Sequence, residues 1–377
     1  MKKSLLFATL VGVALTGCVN DEAVTDAGTQ KEMLFGVPAL KTQTRANILG
    51  EINSTDAYAA NGGESFCVTA WRYKGAYAAG MWSDASWASF FATGGEVATK
   101  AGTYWTTSTQ HYWPGAAYNL LFAAYSPANL NVTGSSITVD PTITYNATGV
   151  TIQNFEVQPN ADHQYDLMYS DYAYDLNVTQ HDGSAVGLKF NHALSSIVFS
   201  VSKSQADVHY EITGVELLGD YVTSGTFKQN IGVTDGGGNP VGVTWEYTDS
   251  NKETCEYKPT FSNFEVTEAP QQFTSGPSAL LLIPQSVPDN AKVRLHYTKR
   301  VTGATDLIGE TDILLKDFVV PVDASGNTTG SSYKIENWKP GVRYIYRIAF
   351  GENKPIYFSP TVEEWVTEPT AVYTINY

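Results

Sequence analysis

The stretch AVGLKFNHALSSIVFSVSK, Ala185 to Lys203, decides the fold. Val186, Leu188 and Phe190 alternate with small or polar residues. After a short turn, Asn191-His192-Ala193-Leu194, the residues Ile197, Phe199 and Val201 alternate again. Side chains of a strand point to opposite faces in turn, so an apolar period of two marks a strand with one buried face. The signature recurs on both sides of this stretch. Upstream, Phe66, Val68 and Ala70 alternate with Cys67, Thr69 and Trp71. Leu121 to Tyr125, Ile137 to Tyr145 and Val150 to Val157 read as further strands. Downstream follow Tyr210 to Leu218, Gly225 to Phe227, Leu280 to Pro284, Lys292 to Tyr297 and the run through Tyr344, Tyr346 and Ile348. Gly, Pro and Asn separate these segments, and no stretch of a dozen residues after the first apolar run has a period of 3.6. The pattern predicts an all-β protein of two β-sandwich domains in tandem, 46–185 and 186–377.

Composition narrows the function classes. The formal net charge is −15, from 23 basic and 38 acidic residues. Nucleic acid needs a basic surface, so it is not an expected partner. Charged residues make up 16% of the chain, below the roughly 25% usual for globular domains. Tyr (23) and Trp (8) are abundant, and aromatic residues favour strands. The three cysteines, Cys18, Cys67 and Cys255, form no metal-ligand spacing and no disulfide framework. Cys67 and Cys255 read as buried thiols or as one bridge.

The chain starts with a basic head, Met1 to Lys3, and an apolar run, Ser4 to Leu15. About a dozen apolar residues fall short of the ~20 that span a bilayer as a helix, so the layout is that of a secretory signal. The residues Leu15-Thr16-Gly17-Cys18 resemble the bacterial lipoprotein box. That resemblance implies removal of a signal peptide, residues 1–18, with lipid on the Cys18 thiol. Acyl chains such as palmitate would then hold the chain on the outer membrane, at ~0.8 kcal/mol per buried methylene. An ordinary secreted chain is the alternative. Further on, Met33, Phe35 and Val37 alternate as a strand that Pro38 ends. Arg45, the sole arginine before Arg72, follows in the polar stretch LKTQTRANILG.

Several segments together resemble the fimbrillin family of Bacteroidales, subunits of type V pili. They are YWPGAAYNLLFAAYSP (Tyr112 to Pro127), YDLMYS (Tyr165 to Ser170) and VGLKFNHALSSIVFSV (Val186 to Val201). ITGVELLGDYVTSGTF (Ile212 to Phe227), LLLIPQ (Leu280 to Gln285), WKPGVRYIYRIAF (Trp338 to Phe350) and VEEW (Val362 to Trp365) complete the set. The resemblance implies two transthyretin-like sandwiches and a structural role in a cell-surface fimbria that supports adhesion. It implies a lipidated outer-membrane precursor and cleavage by a trypsin-like, arginine-specific protease in the loop after the first strand. In this chain that cleavage falls between Arg45 and Ala46 and removes a propeptide, residues 19–45, together with the first strand. A strand from another subunit then fills the groove left behind. The segment 366–377, with Ala371, Tyr373, Ile375 and Tyr377 on one face, fits such a donor strand; it equally fits an ordinary last strand. A stalk position is preferred to a tip position. An anchor position is disfavoured, because an anchor keeps its lipid.

No catalytic constellation accompanies this, and neither enzyme activity, a cofactor nor a metal is expected. His192 reads as a structural histidine at a turn. Ser195 and Ser196 form no nucleophile elbow. Asp166, Asp171 and Asp175 lack the spacing of an EF-hand loop. The glycines in Asp235 to Asn239 precede no strand-helix unit, so they form a turn and not a phosphate cradle. The alternative to a fimbrial subunit is a carbohydrate-binding outer-membrane lipoprotein, with Trp82, Trp87, Trp105 and Trp113 stacking on sugar rings.

Overall fold

Asn119–Ser126 (NLLFAAYS) is apolar along almost its whole length because both of its faces are buried. Leu120, Phe122 and Ala124 enter one core, while Leu121, Ala123 and Tyr125 enter another. Its antiparallel partner, Ser65–Tyr73, divides in the same way. Phe66, Val68 and Ala70 belong to the first core, and Cys67, Trp71 and Tyr73 to the second. A strand buried on both faces reads as a near-continuous apolar run, since neither side chain row meets water.

These relations come from a computed structural model. It describes residues 33–36, 65–77, 88–91, 95–101, 104–130, 132–134, 137–139, 142–146, 149–179, 185–188, 190–230, 243–259, 262–274, 279–301, 303–318, 334–351, 357–358 and 361–364. Among the described residues the only helical turns are the short 3-10 segments Ala161–His163, Asp249–Asn251 and Leu315–Asp317. No helix there is long and apolar enough to cross a membrane. The protein is all-β, as the alternation predicts. Residues 31–377 form one compact unit.

The first sheet runs through Val186–Gly187, Phe35–Gly36, Tyr104–Thr107, Glu96–Ala101, Ser65–Tyr73, Asn119–Ser126, Met168–Ser170 and Phe190–His192, in that order. Its first and last strands are successive pieces of one stretch of chain. The sheet therefore curls until its ends meet, and it encloses a core of Met33, Phe35, Phe66, Trp105, Phe122 and Phe190, among others. The chain then leaves this sheet at Ala193 and Leu194. Ser195–Lys203 runs parallel to Val342–Phe350, with Ser196 opposite Arg343 and Lys203 opposite Phe350. Thr361–Glu364 flanks Val342–Phe350 on its other side. A second sheet, built on Val208–Val222, Lys292–Val301 and Leu307–Leu314, faces this one across the larger core. There Tyr210 stacks on Phe350 at 4.3 Å and Tyr221 on Trp338 at 5.9 Å. A third ladder crosses the middle of the chain, since Gly149–Glu156 pairs with Ser224–Asn230.

Two local readings are corrected. Asn191 and His192 are not turn residues: Phe190–His192 is a strand with His192 opposite Met168, and the turn shrinks to Ala193 and Leu194. The cause is a buried pair, His192 Nδ1 lying 2.8 Å from an Asp166 carboxylate oxygen, which holds the ring inside the fold. Ile137 to Tyr145 is two strands, Ile137–Val139 and Thr142–Asn146, in different sheets. Pro141, which has no N–H to give a ladder, lies between them.

Cys67 and Cys255 are not joined in a disulfide, which settles the question of a bridge. Burial disfavours the charged thiolate and pushes Cys255 up to about 11. At pH 8 iodoacetamide is therefore expected to leave Cys67 and Cys255 of the native protein largely unmodified. Unfolding in urea should expose both, and peptide mapping by mass spectrometry reads the difference.

Candidate strand-exchange site

Phe35 in the first strand and Met33, two residues before it, are both buried to within 2% of complete enclosure. The strand sits between two others. Phe35 lies opposite Trp105 in an antiparallel pairing and opposite Val186 in a parallel one. Around the slot the backbone is satisfied from both sides. The Met33 N–H donates to the His111 carbonyl at 2.8 Å. The Leu34 carbonyl accepts from Val186 N–H at 2.8 Å, and the Gly36 carbonyl from Leu188 N–H at 2.9 Å.

The floor of the slot is aromatic. Phe35 meets Phe66 and Phe122 edge to face, with centroids 6.2 Å and 5.7 Å away. Phe66 in turn packs on Trp105 at 5.3 Å and Phe190 at 5.4 Å. Edge-to-face rings at these separations gain attraction beyond the area they bury. The first strand is thus short in hydrogen-bonded length, yet it carries one of the largest fully enclosed side chains of the fold.

The predicted site residues divide between described and undescribed parts of the chain. Cys18, Arg45, Ala46, Ala371, Tyr373, Ile375 and Tyr377 lie outside the described residues, as do Trp82, Trp87 and Asp235 to Asn239. Arg45 follows Gly36 by nine positions in the sequence. Trp105 and Trp113 are core residues, 3% and 8% exposed, so neither offers a face to a sugar. The three aspartates considered for calcium have separate partners. Asp166 pairs with His192, Asp171 accepts from Asn191 Nδ2 at 2.6 Å, and Asp175 accepts from the Tyr73 hydroxyl at 2.8 Å. Among the described residues no group of three or more His, Cys, Asp or Glu side chains is placed to hold a metal ion. The walls of the slot were not singled out from sequence. Trp105, Val186 and Leu188 carried a signal, the alternation itself, but alternation does not say which strands are neighbours.

An all-β protein, with a closed sheet completed by a short strand from the N-terminal side of the chain, is the class these features define. The chain belongs to the fimbrillin-like family, whose profile matches residues 44–365. Among solved structures it is similar to a fimbrial protein from Bacteroides vulgatus, at 19% identity and a TM-score of 0.58. That alignment covers 88% of this chain and 99% of the other. The tip fimbrial protein Mfa3 from Porphyromonas gingivalis, with C-terminal truncation, aligns at 12% identity and a TM-score of 0.32, over 80% of this chain and 94% of that one. No curated protein matches the chain by sequence.

Deleting a buried Phe ring leaves a cavity and removes its transfer free energy, about 3–5 kcal/mol together. Phe35→Ala is expected to destabilise the intact chain by about that amount in urea unfolding monitored by circular dichroism. A change below about 0.5 kcal/mol, the size of an ordinary surface substitution, would mean that the slot does not depend on its occupant.

Proposed function

We propose that this chain is a structural subunit of a cell-surface fimbria, exported as a lipoprotein on Cys18, matured by cleavage after Arg45, and assembled by strand exchange. The observation that carries the proposal is the seat of Phe35: a four-residue described segment, upstream of the sole arginine in the first 71 residues, fills a slot inside a closed sheet. Membership of the fimbrillin-like family supports the same reading. So does the fold shared with a fimbrial protein.

The energetics favour release once the chain is cut. Burying Met33 and Phe35 contributes roughly 1.5–3 kcal/mol each. The backbone hydrogen bonds add about 1 kcal/mol net apiece. While the strand is tethered, this suffices to hold it. After cleavage the same contacts must also offset the loss of translational and rotational freedom, estimated at about 4–15 kcal/mol. A clipped segment is then bound weakly and leaves on dilution, with the lipid anchor attached to it. What remains presents the Val186 and Leu188 N–H groups, the His111 carbonyl and the rings of Phe66 and Phe122 to solvent. Unpaired strand edges beside an apolar groove are a template for strand addition.

The occupant in the assembled state is a strand of another subunit. The segment 366–377, with Ala371, Tyr373, Ile375 and Tyr377 alternating, is the donor in this reading, and a stalk position is preferred to a tip. Within this scheme the mature subunit has two sandwiches, read from sequence as 46–185 and 186–377, with Val186–His192 counted in the first because it belongs to the first sheet. Its partners are other fimbrial subunits, an arginine-specific maturation protease and, before cleavage, the outer membrane. No catalysis is assigned to it. The tryptophan-based carbohydrate reading loses Trp105 and Trp113, which are enclosed.

Treatment of the folded chain with an arginine-specific protease is expected to yield an N-terminus at Ala46 and concentration-dependent oligomers, read by Edman sequencing and light scattering. Arg45→Ala should abolish both, and equal oligomerisation of that variant would exclude the proteolytic trigger. Removal of residues 370–377 is expected to stop growth of a stalk polymer, visible by electron microscopy. Unimpaired filaments after that deletion would place the donor elsewhere.

A further inference from the structure

Three segments meet at one end of the first sheet: residues 74–77, Tyr118 with Asn119, and residues 173–179. Side chains tie them together. Asn119 Nδ2 donates to the Gly75 carbonyl at 2.7 Å, and Asn177 Nδ2 donates to Asn119 Oδ1 at 3.0 Å. At their centre the Ala173–Leu176 strand shifts register against Asn119–Ser126, and Asp175 takes a φ of 57°. That left-handed conformation is uncommon for a residue other than glycine and persists when its surroundings impose it. Three hydrogen bonds do so here. The Tyr73 hydroxyl and the Tyr77 N–H donate to Asp175 Oδ1, at 2.8 Å and 2.6 Å, and the Asp175 N–H donates to the Tyr73 oxygen at 2.6 Å.

The bulge turns Tyr174 outward. At 51% exposure it is the most exposed aromatic residue among those described. Its ring stands 5.0 Å from that of Tyr77, tilted by 36°. Both donors to Asp175 converge on Oδ1, and this half-buried carboxylate belongs to the residue next to Tyr174. Tyr118 differs: Arg72 and Lys74 lie over it, at 4.5 Å and 5.1 Å from its centroid. The neighbourhood thus holds both signs of charge, which penalises a strongly charged ligand of either sign. A flat apolar face in the neighbourhood of a half-buried carboxylate suits a ligand that is apolar on one side and hydroxylated at its edge.

We propose that Tyr174, Tyr77 and Asp175 form a subsite for a neutral pyranose sugar, with its C–H face on Tyr174 and a ring hydroxyl donating to Asp175. The site uses none of the residues that pair with or pack on Phe35, and it gives the subunit a ligand of its own whatever position it takes in a polymer.

The test uses the full-length Arg45→Ala chain, so that its outcome is independent of assembly. Lactose, maltose, cellobiose and mannobiose are each coupled to agarose, and retention is measured with elution by the free disaccharide. The parent and Tyr174→Phe, which keeps the ring, are expected to be retained on at least one matrix. Tyr174→Ala should bind at least tenfold more weakly with an unchanged melting temperature. Asp175→Gly suits the left-handed backbone while removing the carboxylate, and it should weaken binding similarly. If that variant fails to fold, the Tyr174 pair decides alone. Retention of the parent on none of the four matrices, or equal retention of Tyr174→Ala, overturns the proposal.

Discussion

The closed first sheet depends on one insertion, Phe35 between Trp105 and Val186. Without the strand that carries it, Tyr104–Thr107 and Val186–Gly187 have no partner in common, and the circuit of strands is open at that point. The middle of the sheet is joined by longer ladders, such as the seven-residue register from Cys67–Tyr125 to Tyr73–Asn119. The closing element has only two residues in its ladders and stands upstream of the sole arginine in the region. A sheet sealed by so short a strand holds together while that strand is covalently attached. In the proposed maturation it opens when the attachment is cut. This asymmetry makes a proteolytic trigger physically reasonable, because a longer strand would stay bound after cleavage.

The strands were legible in the sequence, and their neighbours were not. Ser195–Lys203 and Val342–Phe350 stand out as alternating runs. Nothing in either run says that they lie side by side and parallel, 147 positions apart (343 − 196). The period of two reports burial of a face and is silent about partners. For the same reason the importance of Met33 and Phe35 was visible only as a short alternation ended by Pro38, while the walls of their slot went unmarked. His192 shows the opposite failure. Its place between two alternating runs suggested a turn, whereas the strand continues through it, with the ring held inside the fold by the buried Asp166 carboxylate. The Tyr174 bulge was not readable either, since the left-handed φ of Asp175 follows from the hydroxyl of Tyr73, a residue 102 positions away.

The aromatic residues that might have formed a cleft, Trp105 and Trp113, are spent on the core. The carboxylates that might have formed a metal site each have a separate partner. The described chain is organised around surfaces that join strands, and its one strained non-glycine bulge in the first sheet presents a tyrosine to solvent.

Hydrogen exchange at the Val186 and Leu188 amides tests the central claim most directly, because those two N–H groups bond the first strand across the slot. The account predicts slow exchange in the intact chain, fast exchange in the cleaved monomer, and renewed protection once oligomers form. Protection of both amides in the cleaved monomer, unchanged from the intact chain, would contradict it.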